Sequence, residues 1–147
     1  MKKLFLSAVA AMLAVTSFSQ KLKIKVTEYN RKDSSIIYNN KTYRNNIKTD
    51  SDWTFDLDNF KLYYKHNLYP EYNVFPEGEI IGVKQRNGIY TITYLDCDLI
   101  KPDVKYTNVA IIDTNKETFQ LKFNEQERGF VIFSTATKLK MSINKHS

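Results

Sequence analysis

The chain has 147 residues, with 22 Lys and Arg against 16 Asp and Glu, a formal charge of +6. One Cys, four Gly and three Pro exclude an internal disulfide framework, a multi-Cys zinc site and a low-complexity chain. The length fits one domain, with or without a processed segment, and is too short for a TIM barrel.

Residues Met1 to Gln20 have the layout of a secretory signal peptide. Lys2 and Lys3 precede an apolar run from Leu4 to Val15, interrupted only by Ser7. Ser17 and Ser19 then occupy the −3 and −1 places of a cut before Gln20. A membrane-spanning helix needs roughly 20 apolar residues, more than this run supplies. The alternative is an amphipathic N-terminal helix that stays attached. No Cys follows the run, so no lipid anchor is expected. The organisation expected is a signal-peptide helix over 1–19 and a single β domain over 20–147. The implied address is outside the cytoplasm, periplasmic or secreted. Without Lys2 and Lys3 the charge falls to +4. That balance lacks the dense basic clustering of a nucleic-acid binder, and no nucleic-acid partner is expected.

Beyond Gln20 the dominant period is two, the mark of half-buried strands. Leu22, Ile24 and Val26 alternate with Lys21, Lys23 and Lys25. Asn39-Asn40 suits a turn that would pair Ile37 with Thr42. Trp53, Phe55 and Leu57 alternate with Thr54, Asp56 and Asp58, and Asp58-Asn59 is a weaker turn signal. The segment 65–78 breaks the period with two prolines and scattered aromatics, and reads as a long loop. It is either a lid or a connector whose Leu68, Tyr72 and Phe75 plug one barrel end.

Asn87-Gly88 fits a two-residue type I′ hairpin turn, which needs positive φ at both positions. The implied register sets Gln85 against Tyr90, Val83 against Ile92, Ile81 against Tyr94 and Glu79 against Asp96. A second hairpin at Asn115-Lys116 sets Ile112 against Phe119 and Ala110 against Leu121. Glu127-Arg128-Gly129 is a further turn candidate. Leu139, Met141 and Ile143 alternate with Lys138, Lys140 and Ser142 to close the chain. Sequential hairpins make a meander. The fold expected is all-β: an antiparallel meander of eight to ten short strands closing into a small barrel, with a two-sheet sandwich as alternative.

A short meander, an early Trp53 near a strand start and an exported address resemble the lipocalin-like small exported β-barrel proteins of Gram-negative bacteria. Trp53 follows Ser51-Asp52, whereas true lipocalins carry a Gly-x-Trp motif. The resemblance implies binding of a small apolar or amphipathic molecule in the barrel mouth.

Candidate chemistry is sparse. Glu79 opposite Asp96 would form a carboxylate pair able to do acid–base work; the simpler reading is two solvated strand ends. His66 and His146 have no metal-ligand spacing with each other or with Cys97, and no metal or cofactor is expected. Cys97 reads as a small buried hydrophobe. Lys21, Lys23 and Lys25 on the first strand, with Lys138 and Lys140 on the last, would form one outward basic stripe. It suits anionic lipid head groups or an acidic partner, or else only protects strand edges. The function expected is non-enzymatic ligand binding at a mouth built from Trp53, Tyr90 and Tyr94 with Tyr69, Tyr72 and Phe75 of the loop. A protein-interaction or inhibitor module is the alternative, and a carboxylate hydrolase a remote one.

Overall fold

The computed structural model describes residues 19–66, 77–97, 105–125 and 129–146. The expected signal peptide, up to residue 18, and the expected loop contacts Tyr69, Tyr72 and Phe75 lie outside the described residues. Eight strands form the molecule: β1 (Ser19–Ser35), β2 (Asn40–Asp56), β3 (Lys61–His66), β4 (Glu77–Arg86), β5 (Ile89–Cys97), β6 (Lys105–Asp113), β7 (Thr118–Glu125) and β8 (Phe130–His146). Each pairs antiparallel with the next and β8 pairs with β1, so the meander closes into a barrel rather than a sandwich. Strands β1, β2 and β8 are 17 residues each, longer than the short strands expected.

Local chemistry sets the links. Three four-residue turns, 36–39, 57–60 and 114–117, each end on a residue with positive φ: Asn39, Phe60 and Glu117. The residue before each turn caps it. Ser35 Oγ accepts from the Tyr38 amide, Asp56 Oδ1 from Asn59 and Asp113 Oδ1 from Lys116. Such short side chains compete well for nearby backbone donors. Asn87 and Gly88 both have positive φ, at 53° and 80°, as a type I′ turn requires.

Two expected registers are corrected. Pairing from the Asn87-Gly88 turn holds through Gly82 with Thr93, then a bulge intervenes. Ile80, not Ile81, faces Tyr94, and Glu79 faces Leu95 rather than Asp96. Ile81 therefore points outward and is 50% exposed, while Ile80 joins the core. Two adjacent isoleucines give alternation no preferred phase, and the bulge decides it. In the first hairpin Thr42 pairs with Asp33, not with Ile37, which sits in the turn. The Asn115-Lys116 hairpin has the expected register, with Ile112 opposite Phe119 and Ala110 opposite Leu121.

The alternating apolar residues converge inside. Leu22, Ile24, Phe55, Leu62, Ile92, Ala110 and Ile112 are fully or almost fully buried. Each large side chain so placed contributes about 1.5–3 kcal/mol. The lysines between them point out, giving an apolar interior and a charged exterior. That is the reverse of an outer-membrane barrel, whose apolar band faces lipid.

Candidate functional site

The barrel has two unlike ends. At the lower end lie the turns 57–60, 87–88 and 114–117, beneath close-packed side chains. At the upper end lie the turn 36–39 and the β7–β8 link at Gly129. Between them sits an aromatic layer. Trp53 stacks on Tyr64 at 5.0 Å and on Phe55 at 6.3 Å, and Phe119 meets Trp53 edge-on at 5.6 Å. Such offset and edge contacts are favoured geometries for aromatic rings.

Above this layer is a half-enclosed cavity of about 260 Å³. Trp53 and Phe119 make its floor. Val26, Leu121, Phe123, Ile132 and Ala136 form apolar walls, and Tyr29, Arg31, Thr49, Ser51 and Ser134 supply polar atoms. Thr49 Oγ1 and Ser51 Oγ share a hydrogen bond of 2.6 Å. Arg31 Nε donates to Asp33 Oδ1 at 2.6 Å, which fixes the guanidinium at the rim.

These residues come together because two neighbouring strands change phase at one level. On β1, Leu22, Ile24 and Val26 face inward; a bulge then shifts the register between Val26 and Glu28, and a second between Tyr29 and Arg31. Tyr29 and Arg31 thus enter the cavity lining although their parity is opposite to Val26. On β8, Leu139, Met141 and Ile143 pack on the core, whereas Ala136, Ser134 and Ile132 line the cavity. Strict alternation from either terminus would send these side chains to solvent, so sequence reasoning missed them. One signal was present: Asn45-Asn46, where Asn46 takes φ 57° and donates its amide to Asn30 Oδ1. Asn tolerates this conformation better than most residues.

Of the expected ligand contacts, Trp53 is in the cavity. Tyr90 lies at the lower end beside the Asn87-Gly88 turn, where its buried hydroxyl donates to Gln20 Oε1 at 3.0 Å. Burial raises its pKa and the Gln20 bond opposes that. Tyr94 is wholly buried and does not line the cavity. Its hydroxyl has no hydrogen-bond partner among the described residues. Burial pushes its pKa well above the usual tyrosine value, with further upward contributions from Asp96 and Tyr64 and a small opposing one from the nearby Asn108 side chain. Of the expected residues that are described, Trp53 lines this cavity and Tyr90 and Tyr94 do not; its described lining comes from the upper halves of β1, β2, β7 and β8.

The carboxylate pair is corrected too. The bulge at Ile81 moves Glu79 out of line, and Glu79 is exposed. Asp96 pairs across to Tyr106 and accepts a 2.9 Å hydrogen bond from Tyr64 Oη. Among the described residues no three of His, Cys, Asp and Glu come together as metal ligands.

The lysine stripe exists as a neighbourhood, since Lys25 lies directly opposite Lys140. It is not a free cationic surface. Lys25 Nζ is 3.1 Å from Asp50 and 3.8 Å from Asp52, and the Asp50 hydrogen bond raises its pKa. Lys21 lies 4.0 Å from Asp56, and Lys138 lies 3.7 Å from Glu28. An open depression of about 550 Å³ beside Lys23, Lys25 and Lys140 also contains Asp52. The acids of β2 thus balance the lysines of β1 along this side.

The chain matches no family model, and no curated protein or solved structure is significantly similar to it.

Proposed function

We propose that this is an exported, non-enzymatic barrel that binds a small apolar or amphipathic molecule in its upper cavity. The observation that carries this reading is the cavity itself. Among the described residues, five apolar walls and an aromatic floor border about 260 Å³, and the polar groups are Tyr29, three hydroxyls and the rim Arg31. Mostly apolar lining with a few placed polar groups is the general character of small-molecule pockets. The volume falls just under the range of about 300–1,000 Å³ typical of drug-sized ligands. The occupant would therefore be small, such as a short-chain amphiphile or a one-ring or two-ring compound. Its apolar part would lie on Trp53 and Phe119. A polar group would reach the Thr49-Ser51 pair or Arg31. This is the role that the lipocalin-like resemblance also implies.

Native mass spectrometry of the protein from an exporting host tests the reading directly. A co-purifying small molecule is expected. Trp53 is the only tryptophan and forms part of the cavity floor, so binding should also change its fluorescence. Ala136→Phe should fill the space and abolish both signals while leaving the barrel folded. A protein with no bound mass, whose Trp53 emission ignores a panel of short amphiphiles at millimolar excess, would sink the proposal.

A further inference from the structure

We propose that the upper part of the β1–β2 hairpin is a docking tip for an anionic lipid bilayer, with Ile36, Ile37 and Tyr38 entering the head-group layer. This does not rest on the ligand reading. The first observation is exposure. Ile36, Ile37 and Tyr38 are 59%, 66% and 74% exposed, and Tyr43 behind them is 62% exposed. Three consecutive exposed apolar residues in a turn are a burial cost that water alone does not explain. Of the lower-end turns, 87–88 and 114–117 read Asn-Gly and Thr-Asn-Lys-Glu, and 57–60 exposes a single large apolar residue, Phe60.

The second observation is that the backbone holds the tip in this posture. The Ile36 amide donates to Gly129 O, and Ser35 Oγ accepts from the Tyr38 amide. Gly129 has φ 70°, and a Cβ there would meet Ile37 Cδ1 and Cγ1 at 2.7 Å. The Ile37 side chain is thus backed by Gly129.

The third observation is charge. Between Tyr29 and Lys48 the sequence holds five cations, Arg31, Lys32, Lys41, Arg44 and Lys48, and one acid, Asp33. Lys2 and Lys3 account for two more cations. The rest of the chain then has fifteen of each sign, from totals of 22 and 16. Residues 29–48 thus carry a net +4, or +3 when Glu28, the partner of Lys48, is counted with them. Arg31 is held by Asp33 and Lys48 by Glu28. Lys32 lies over the rings of Tyr43 and Phe133, at 5.9 Å and 5.4 Å. Apolar residues at a tip, with aromatics and cations behind, match the layers of an anionic membrane surface from acyl boundary to phosphate. The lysine stripe of β1 and β8 lacks this asymmetry because acids balance it.

The test is co-sedimentation of the protein from an exporting host with phosphatidylcholine vesicles, alone or with about a third phosphatidylglycerol. Binding is expected only with the anionic lipid. Removing a membrane-facing cation costs roughly fivefold, so Lys41→Ala with Arg44→Ala should weaken it roughly 25-fold. Ile37→Asp should weaken it at least as much. Because all three sites are exposed, the variants should keep the parent circular dichroism spectrum. Tyr38→Trp should add emission that moves to shorter wavelength on anionic vesicles, and Lys116→Trp at the opposite end should not. Failure to sediment overturns the proposal. So does equal binding of parent and variants, or an equal spectral shift at position 116. Retention on heparin without vesicle binding also overturns it, and would assign the cations to a soluble polyanion.

Discussion

The lower and upper halves of this barrel use the same strands for opposite ends. Below Trp53, inward positions carry Phe55, Leu22, Leu62, Ile92 and Ile112, all with negligible exposure. Above Trp53, β1, β2 and β8 continue upward, but the side chains that face inward leave about 260 Å³ unfilled. Residues 40–46 of β2 are exposed throughout. The upper half thus exists because the lower half is packed well enough to hold it. Burial is concentrated below, and the cavity and the run of three exposed apolar residues Ile36, Ile37 and Tyr38 lie above.

The largest effect that can break this comparison is core truncation. Phe55→Ala should destabilise the protein by about 3–5 kcal/mol, since it removes a buried ring that touches Trp53 and Phe119. Ile132→Ala in the cavity wall should cost less than about 2 kcal/mol, because that side chain already borders open space. Urea midpoints of the two variants decide the matter. Equal losses would mean that the upper half is as tightly packed as the lower.

This difference also explains what could be read from the sequence. The lower half was mostly legible because alternation there is interrupted only in β4, and because Asn87-Gly88 and the Asp113-capped turn fix their hairpins. Neighbouring of β1 and β8 followed from meander topology alone. The upper half was illegible because bulges change the phase of both β1 and β8 near Glu28. Once phase is lost, Tyr29, Arg31, Ser134 and Ala136 look like surface residues. The same failure misplaced Ile81 and Glu79 and, with them, the carboxylate pair. Bulges are tertiary choices, made where a strand must bend or twist to close a barrel, and hydrophobic period does not announce them.

A smaller perturbation sharpens the comparison at the top. Gly129→Ala places a methyl group against Ile37 and asks an L-residue to hold φ 70°. A left-handed backbone conformation costs roughly 1–2 kcal/mol for a residue with a Cβ. The expected loss is in that range, and hydrogen exchange should rise in residues 34–42 while the amides of Ile92 and Ile112 keep their protection. Loss of protection throughout would show that the hairpin tip and the lower core open together.

The smallest effect lies at the waist, where the two halves meet. Glu28 sits at the phase change and is almost fully covered, with its carboxylate contacted by Lys48, Lys138 and Thr137. The hydrogen bond from Lys48 is the main cause that holds its pKa below the usual 4.5, against desolvation. A carboxyl depressed in the folded state binds fewer protons there than in the unfolded chain. Its contribution is therefore complete above the unfolded value and fades as pH falls through the lower folded value. Stability should decline as pH falls below about 4.5, the ordinary value of a Glu carboxyl. Glu28→Gln should flatten that decline slightly and change nothing at pH 7 beyond the loss of the ion pairs. Exposed lysines and salt screening keep the effect small. Denaturation midpoints of parent and variant between pH 3 and 7 measure it. Parallel curves would mean that the Lys48–Glu28–Lys138 contact does not pin the bulges, and that the phase change is held by the strand pairing alone.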